Sequence, residues 1–155
     1  WEEALFFLDQ LLRSGIEADV ITYGTALSAC EAGLQWCWAL ELLETMLGKD
    51  LQANTIVFNS ALGACEKARQ WQWVFCLLDR MRQRELRPDT ITYNAVARVC
   101  GAGHHHLWAL AVEVLREMRG QEADPDVNTY SATVDACARG QQLRSLPALL
   151  EELHV

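Results

Sequence analysis

Apolar side chains recur at intervals of three and four residues along most of this chain, the period of one face of an α-helix. Near its start, Ala4, Leu5, Leu8, Leu11 and Leu12 make such a stripe within a helix predicted over Trp1 to Ser14, and Gly15 stops it. A second helix is predicted over Val20 to Ala32, with Tyr23, Ala26, Leu27 and Cys30 inward. Asp19 precedes it and can accept a hydrogen bond from a free backbone N–H of the first turn, while Gly33 ends it. Trp36 to Leu47 forms the next helix, turning Ala39, Leu42, Leu43 and Met46 inward. The same reasoning predicts helices over Thr55 to Lys67, Trp71 to Arg84, Thr90 to Gly101, His106 to Arg119 and Val127 to Ala138. Tyr130, Val134 and Cys137 are the inward residues of the last of these. A final helix runs from about Ser145 to Leu153 and carries Leu146, Leu149, Leu150 and Leu153, its late start set by Pro147, which only a first turn tolerates. No stretch reads as a strand.

The stripes repeat. Shifting Thr55 to Asp89 back by 35 residues lays Phe58 on Tyr23, Cys65 on Cys30, Trp71 on Trp36, Trp73 on Trp38 and Met81 on Met46. A forward shift by 35 brings up Tyr93, Asn94 and Cys100. Self-similarity at a fixed period of this size marks a stacked repeat protein. The units are 20–54, 55–89 and 90–126, flanked by 1–19, the second half of a unit, and 127–155, a partial or final one. Pro88-Asp89 and Pro125-Asp126 form junctions, because Pro cannot continue a helix and Asp starts one. The third unit is two residues longer than the others, with His104-His105-His106 at the insertion. The expected architecture is all-α: one α-solenoid domain of helix pairs, each burying its apolar face against its neighbours. Because the chain starts within a unit, it reads as a piece of a longer array.

Composition refines this picture. Of 155 residues, 51% are hydrophobic and 22% charged, enough apolar material for a core. No run of 18 apolar residues occurs, so no membrane span is expected. The net charge of -8 by itself opposes nucleic acid binding, which rests on neutralising phosphates. Acids confined to the second helices, such as Glu41, Glu44, Asp79, Glu113 and Glu117, would be screened from another face beyond about 10 Å. Cys30, Cys65, Cys100 and Cys137 hold one place in four successive units, too far apart to bridge, and read as reduced core residues. No CxxC pair suggests zinc, and three adjacent histidines cannot converge on one ion, so no metal site is expected. No nucleophile–base motif or glycine-rich phosphate loop occurs, so neither enzymatic activity nor a cofactor is expected. Trp36 and Trp38, like Trp71 and Trp73, point about 200° apart on a helix. Trp38 and Trp73 are expected to pack between helices, and Trp36 and Trp71 to cover the loop after Cys30 or Cys65.

Val20-Ile21-Thr22-Tyr23, Thr90-Ile91-Thr92-Tyr93-Asn94 and Arg87-Pro88-Asp89 carry a further signal, together with the cysteine near the end of each first helix. A unit of 35 residues built this way resembles the pentatricopeptide repeat, and the resemblance covers essentially the whole chain. The tetratricopeptide repeat, with its W-x-x-L-G-x-x-Y core, does not accommodate these tryptophans. The chain departs from the family pattern at Trp36 and Trp71, at Ala18 and Ala53 where proline is usual, at Gly24, and at the insertion near His106.

The resemblance implies a right-handed superhelix that binds single-stranded RNA, one base per unit, through the fifth and last residues of each unit. Carried across, the fifth residues are Gly24, Asn59, Asn94 and Ser131, and the last residues are Asn54, Asp89 and Asp126. The second residues, Ile21, Ile56, Ile91 and Asn128, would pack against base faces. Lys67 and Arg139 stand where the family often contacts phosphate, and Arg98 follows Asn94 by four residues on the same helix face. An Asn amide offers both donors and an acceptor to a splayed base edge, and a nearby carboxylate can orient it. By resemblance, Asn59/Asp89 and Asn94/Asp126 each prefer uracil, which implies two consecutive uridines. Gly24/Asn54 implies weak selectivity leaning to adenine, and Ser131 a purine. The implied role is in organellar RNA processing, stability, editing or translation, in a chloroplast or mitochondrion. A second reading, favoured by the acidity and the indole pairs, is a scaffold that binds protein partners on its concave face.

Overall fold

A computed structural model describes residues 1–102, 107–121 and 123–141. Among these residues it contains eight α-helices and no strand: α1 (Glu2–Arg13), α2 (Val20–Ala32), α3 (Trp36–Gly48), α4 (Thr55–Lys67), α5 (Trp71–Gln83), α6 (Thr90–Gly101), α7 (Trp108–Gly120) and α8 (Val127–Arg139). The chain divides into two compact units, Trp1–Pro88 and Asp89–Val155. In the first, α2 packs against α1, α3 and α4, and α4 also against α3 and α5. In the second, α6 packs against α7 and α8, and α7 against α8. The same three-helix arrangement therefore occurs in both.

The buried positions follow the stripes. Tyr23, Ala26, Leu27 and Cys30 of α2 are buried against Ala39, Leu42, Leu43 and Met46 of α3. Phe58, Cys65, Leu77, Leu78 and Met81 repeat that core, and Tyr93, Cys100, Ala111, Leu115 and Met118 build it in the second unit. All six cysteines are free thiols; Cys30, Cys65, Cys100 and Cys137 are buried, whereas Cys37 and Cys76 are exposed. Burial pushes the Cys65 and Cys100 thiols up to about 12, and raises those of Cys30 and Cys137.

Local chemistry sets the boundaries. Asp19, Asn54, Asp89 and Asp126 each stand at an N-cap in extended conformation, accepting a hydrogen bond from the backbone N–H three residues on. At Asp89 and Asp126 the hydroxyls of Thr92 and Thr129 return the bond, completing a capping box. The helix ends share one device. Gln35 N–H bonds to Cys30 C=O and Gln70 N–H to Cys65 C=O, while Leu51 and Leu86 return to Met46 and Met81. These six-to-one bonds need a left-handed residue just before the donor. Leu34, Arg69, Asp50 and Glu85 supply it, with φ between 56° and 59°.

Three expectations need correction. The helix expected from His106 begins at Trp108. Val134 is exposed rather than inward; Thr129, Ala132, Thr133, Ala136 and Cys137 are the buried residues of α8. Trp38 and Trp73 are 45% and 42% exposed, not packed between helices. The inward face of α3 is Ala39, Leu42, Leu43 and Met46, and Trp38, one turn before Leu42, lies at its edge. Two indoles that open second helices, Trp1 and Trp108, pack on the end of the first helix that follows. Trp1 lies against Gly33 and Trp108 against Gly140, so close that an added Cβ would fall 2.4 and 2.6 Å from the indole. Trp36 and Trp71 occupy the corresponding positions and are half-buried. The histidine run and the helix expected over Ser145 to Leu153 lie outside the described residues.

Candidate functional site

The second unit brings together Asn94 of α6 and the start of α8. Asn94 is 7% exposed, and its amide Nδ2 donates to Asp126 Oδ2 at 3.0 Å. Its Oδ1 accepts from the Thr129 hydroxyl at 2.6 Å. The carboxylate of Asp126 also accepts from Thr129 N–H at 2.9 Å and from Asn128 Nδ2 at 3.1 Å. Bonding from the Thr129 backbone, supplemented by the Asn128 and Asn94 amides and the Thr129 hydroxyl, outweighs partial burial and lowers the Asp126 carboxyl to about 2. The amide of Asn94 is therefore held at both ends. With one donor and one acceptor spent, it retains one of each.

Asn128, expected to pack against a base face, is exposed and its amide is turned to Asp126. Ile91 is 64% exposed at the start of α6. Ser131 is exposed on α8, and Arg98 and Arg139 are exposed on α6 and α8. Asp89, beginning this unit, caps α6 through Thr92.

In the first unit, Ile21 and Ile56 are 77% and 70% exposed at the position equivalent to Ile91. Gly24 is half-buried on α2, and a Cβ there would meet only Val57 Cγ2 at 3.6 Å, so the position is open. Asn54 is exposed, and its side-chain oxygen accepts from Val57 N–H at 3.0 Å. Asn59 lies half-buried on α4, between buried Phe58 and Ser60. Lys67 ends α4, and its ammonium donates to Glu31 Oε1 at 2.9 Å. Glu31 lies across Gly63, where an added Cβ would stand 2.6 Å from its carboxylate. A phosphate reaching Lys67 would compete with that ion pair.

Sequence reasoning missed Thr129 and Glu31. The recurrence of threonine three residues after the capping aspartate is a legible capping-box signal. Its second bond, to an asparagine 35 residues earlier, is not. Among the described residues no cluster of His, Cys, Asp or Glu could hold a metal, and no helix is long and apolar enough to cross a membrane.

The fold is similar to that of known proteins. No curated protein matches the chain in sequence. Among solved structures, the pentatricopeptide repeat protein PPR10 in complex with an 18-nt psaJ RNA element superposes with a TM-score of 0.74 at 24% identity. PPR10 from maize superposes with a TM-score of 0.80 at 19% identity over 99% of this chain. The PPR domain of Arabidopsis thaliana protein-only RNase P 1, in complex with tRNA, gives 0.82 at 17% identity, over 97% of this chain and 79% of that one. The chain spans 93% of its own length but 21% of the RNA-bound PPR10. A pentatricopeptide repeat domain model matches residues 7–65 and 41–103, more than half of the chain. The chain belongs to the pentatricopeptide repeat family.

Proposed function

We propose that this chain is part of a single-stranded RNA-binding array in which Asn94, fixed by Asp126 and Thr129, selects a base. The observation that carries the reading is the doubly tethered amide. Its remaining donor and acceptor complement the acceptor and donor that uracil presents on its Watson–Crick edge. The exposed isoleucines at the second position of three successive units, Ile21, Ile56 and Ile91, support it, since a base face is apolar and would cover them. The similar structures that contain RNA support it at the level of the family. By position in the repeat, Asn59/Asp89 acts as a second uracil reader, which makes the target two consecutive uridines. Gly24/Asn54 contributes weak selectivity leaning to adenine, and Ser131 a purine preference. Lys67, Arg98 and Arg139 are the phosphate contacts, and the setting is RNA processing, stability, editing or translation in an organelle.

The test is binding of RNA oligonucleotides that differ at one base, measured at fixed salt. Asn94→Thr is expected to shift preference from uracil toward guanine at one position only, by about 1–3 kcal/mol. Indifference to the base at that position, before and after the change, would remove Asn94 as a selector.

A further inference from the structure

A cleft of about 530 Å³ opens between α1 and α3, with Tyr23 of α2 at its floor. Tyr23 is fully buried, and its hydroxyl has no hydrogen-bond partner. The equivalent Tyr93 in the second unit donates its hydroxyl to Glu117 Oε1 at 3.0 Å. In the first unit the position of Glu117 is Thr45, whose hydroxyl is given to Glu41 C=O at 2.8 Å. The phenol of Tyr23 is thus left in the cleft. Exposed Trp38 and Phe6 line it, together with Glu2, Asp9 and Glu41.

The next pair of second helices, α3 and α5, carries the group that this cleft lacks. One period on, Glu44 stands at the position of Asp9 and Arg80 at that of Thr45. The Arg80 guanidinium bonds both oxygens of Glu44, with Nη2 to Oε2 at 3.0 Å. A fork of this kind is the strong form of an ion pair. Between α1 and α3 the acid is kept and the guanidinium is missing. Asp9 bonds instead to Arg13 of its own helix at 2.8 Å, in a pair whose side chains are both largely exposed. Such pairs are weak and exchangeable. Lys49 stands 5.7 Å from the centroid of the Tyr23 ring and lines a separate cavity with Ile16 and Leu51.

We propose that the α1–α3 cleft is a docking site for an arginine side chain presented by a partner protein. The guanidinium lies between Asp9 and Glu41, stacks on the Trp38 indole and, as the side chains covering that buried oxygen part, donates an N–H to the Tyr23 hydroxyl oxygen. Three features select this occupant. The carboxylates attract a cation and repel phosphate, so RNA does not fit. The indole favours a planar cation. The unpartnered phenol oxygen offers an acceptor to a donor-rich fork, which arginine has and a compact ammonium has not. The net charge of -8 draws a basic partner to the molecule. The site is independent of the RNA reading, because it uses none of the residues assigned to bases or phosphates.

The experiment follows the six indole N–H signals of the 155-residue chain by nuclear magnetic resonance. N-acetyl-arginine amide, N-acetyl-lysine amide and a uridine-rich RNA are the probes. Arginine amide is expected to shift the Trp38 signal saturably, and lysine amide to bind about tenfold more weakly or worse. Asp9→Asn, an exposed change that leaves the fold intact, weakens arginine binding by about tenfold. Thr45→Arg recreates the Arg80 arrangement, so it fills the cleft, raises the thermal midpoint and abolishes the shift. The proposal is overturned by an absent or non-saturable shift, by an equal response to lysine, or by arginine binding that survives Thr45→Arg. A Trp38 shift on adding RNA would equally assign the cleft to the wrong partner.

Discussion

At the scale of single residues, Asp126 ties the repeat's stability to the proposed reading chemistry. Its carboxyl lies at about 2, below the ordinary 3.8, so the ionised form is favoured by the folded state. A depressed folded value contributes stability in full above about pH 4, and this is lost as pH falls toward 2. The thermal midpoint of the native chain should therefore exceed that of Asp126→Asn at pH 6, with the gap closing between pH 4 and 2. A gap that persists unchanged at pH 2 would mean that Asp126 acts by shape rather than charge. The cysteines make a second residue-level case. Cys37 and Cys76 should react with a thiol reagent in the native protein, while the four buried cysteines should wait for denaturant. A six-thiol reaction under native conditions, or any disulfide, would contradict the core assignment. The sequence pattern identified those buried cysteines through their recurrence, and the family resemblance paired Asn94 with Asp126. Neither signal could show that Thr129 joins them, because that bond depends on where α8 lies against α6. The misplacement of Trp38 and Trp73 has a different origin. A large apolar residue at the edge of a stripe passes for core until the depth of the neighbouring groove is known.

At the scale of elements, the helices were legible because cap, stripe and stop agree. Val20–Ala32, Thr55–Lys67 and Thr90–Gly101 keep the expected bounds, each having an Asp or Asn cap before a clear stripe. The start of α7 was misjudged because the insertion obscures the register there. The turns were less legible, since a left-handed residue is foreseen at glycine and here falls on leucine, arginine, aspartate and glutamate. A non-glycine residue in that conformation costs about 1 kcal/mol or somewhat more. Glu85→Gly, at an exposed turn, should thus raise unfolding stability by up to about 1 kcal/mol in urea titration. Unchanged or lower stability would show that the turn is not strained. The indole seats predict the opposite sign at Gly140. A Cβ there would stand 2.6 Å from the Trp108 ring, so Gly140→Ala should displace the indole, red-shift its fluorescence and cost about 1–3 kcal/mol. An unshifted spectrum would show that Trp108 yields freely.

At the scale of the whole molecule, charge decides how RNA affinity should behave. Three candidate phosphate contacts are present, and Lys67 is already engaged with Glu31. For single strands the logarithm of affinity falls with the logarithm of salt with a slope of about 0.7 per phosphate neutralised, so a slope near 2 is the ceiling expected here. Titration of a uridine-rich strand at several salt concentrations measures it. Glu31→Gln, which releases Lys67, should tighten binding and steepen the slope; an unaltered slope would exclude Lys67 from phosphate contact. The acidity that argued against RNA in the sequence was therefore partly informative. It falls partly on the outward side of second helices, at Glu41 and Glu44, but one acid, Glu31, sits beside a candidate contact.

The bond between Asn94 and Thr129 crosses a repeat boundary, with consequences for how such genes change. The proposed reading site belongs to no single repeat: one supplies the amide and its carboxylate, and the next supplies the hydroxyl that also holds the amide. Duplicating or deleting one full period rejoins a fifth residue with a closing residue wherever the breakpoints fall. A target sequence then lengthens or shortens by one letter, and no intermediate ancestor need carry a broken site. Even a short insertion between the two partners can be harmless. This chain carries two extra residues between Asn94 and Asp126, and the 3.0 Å bond still forms.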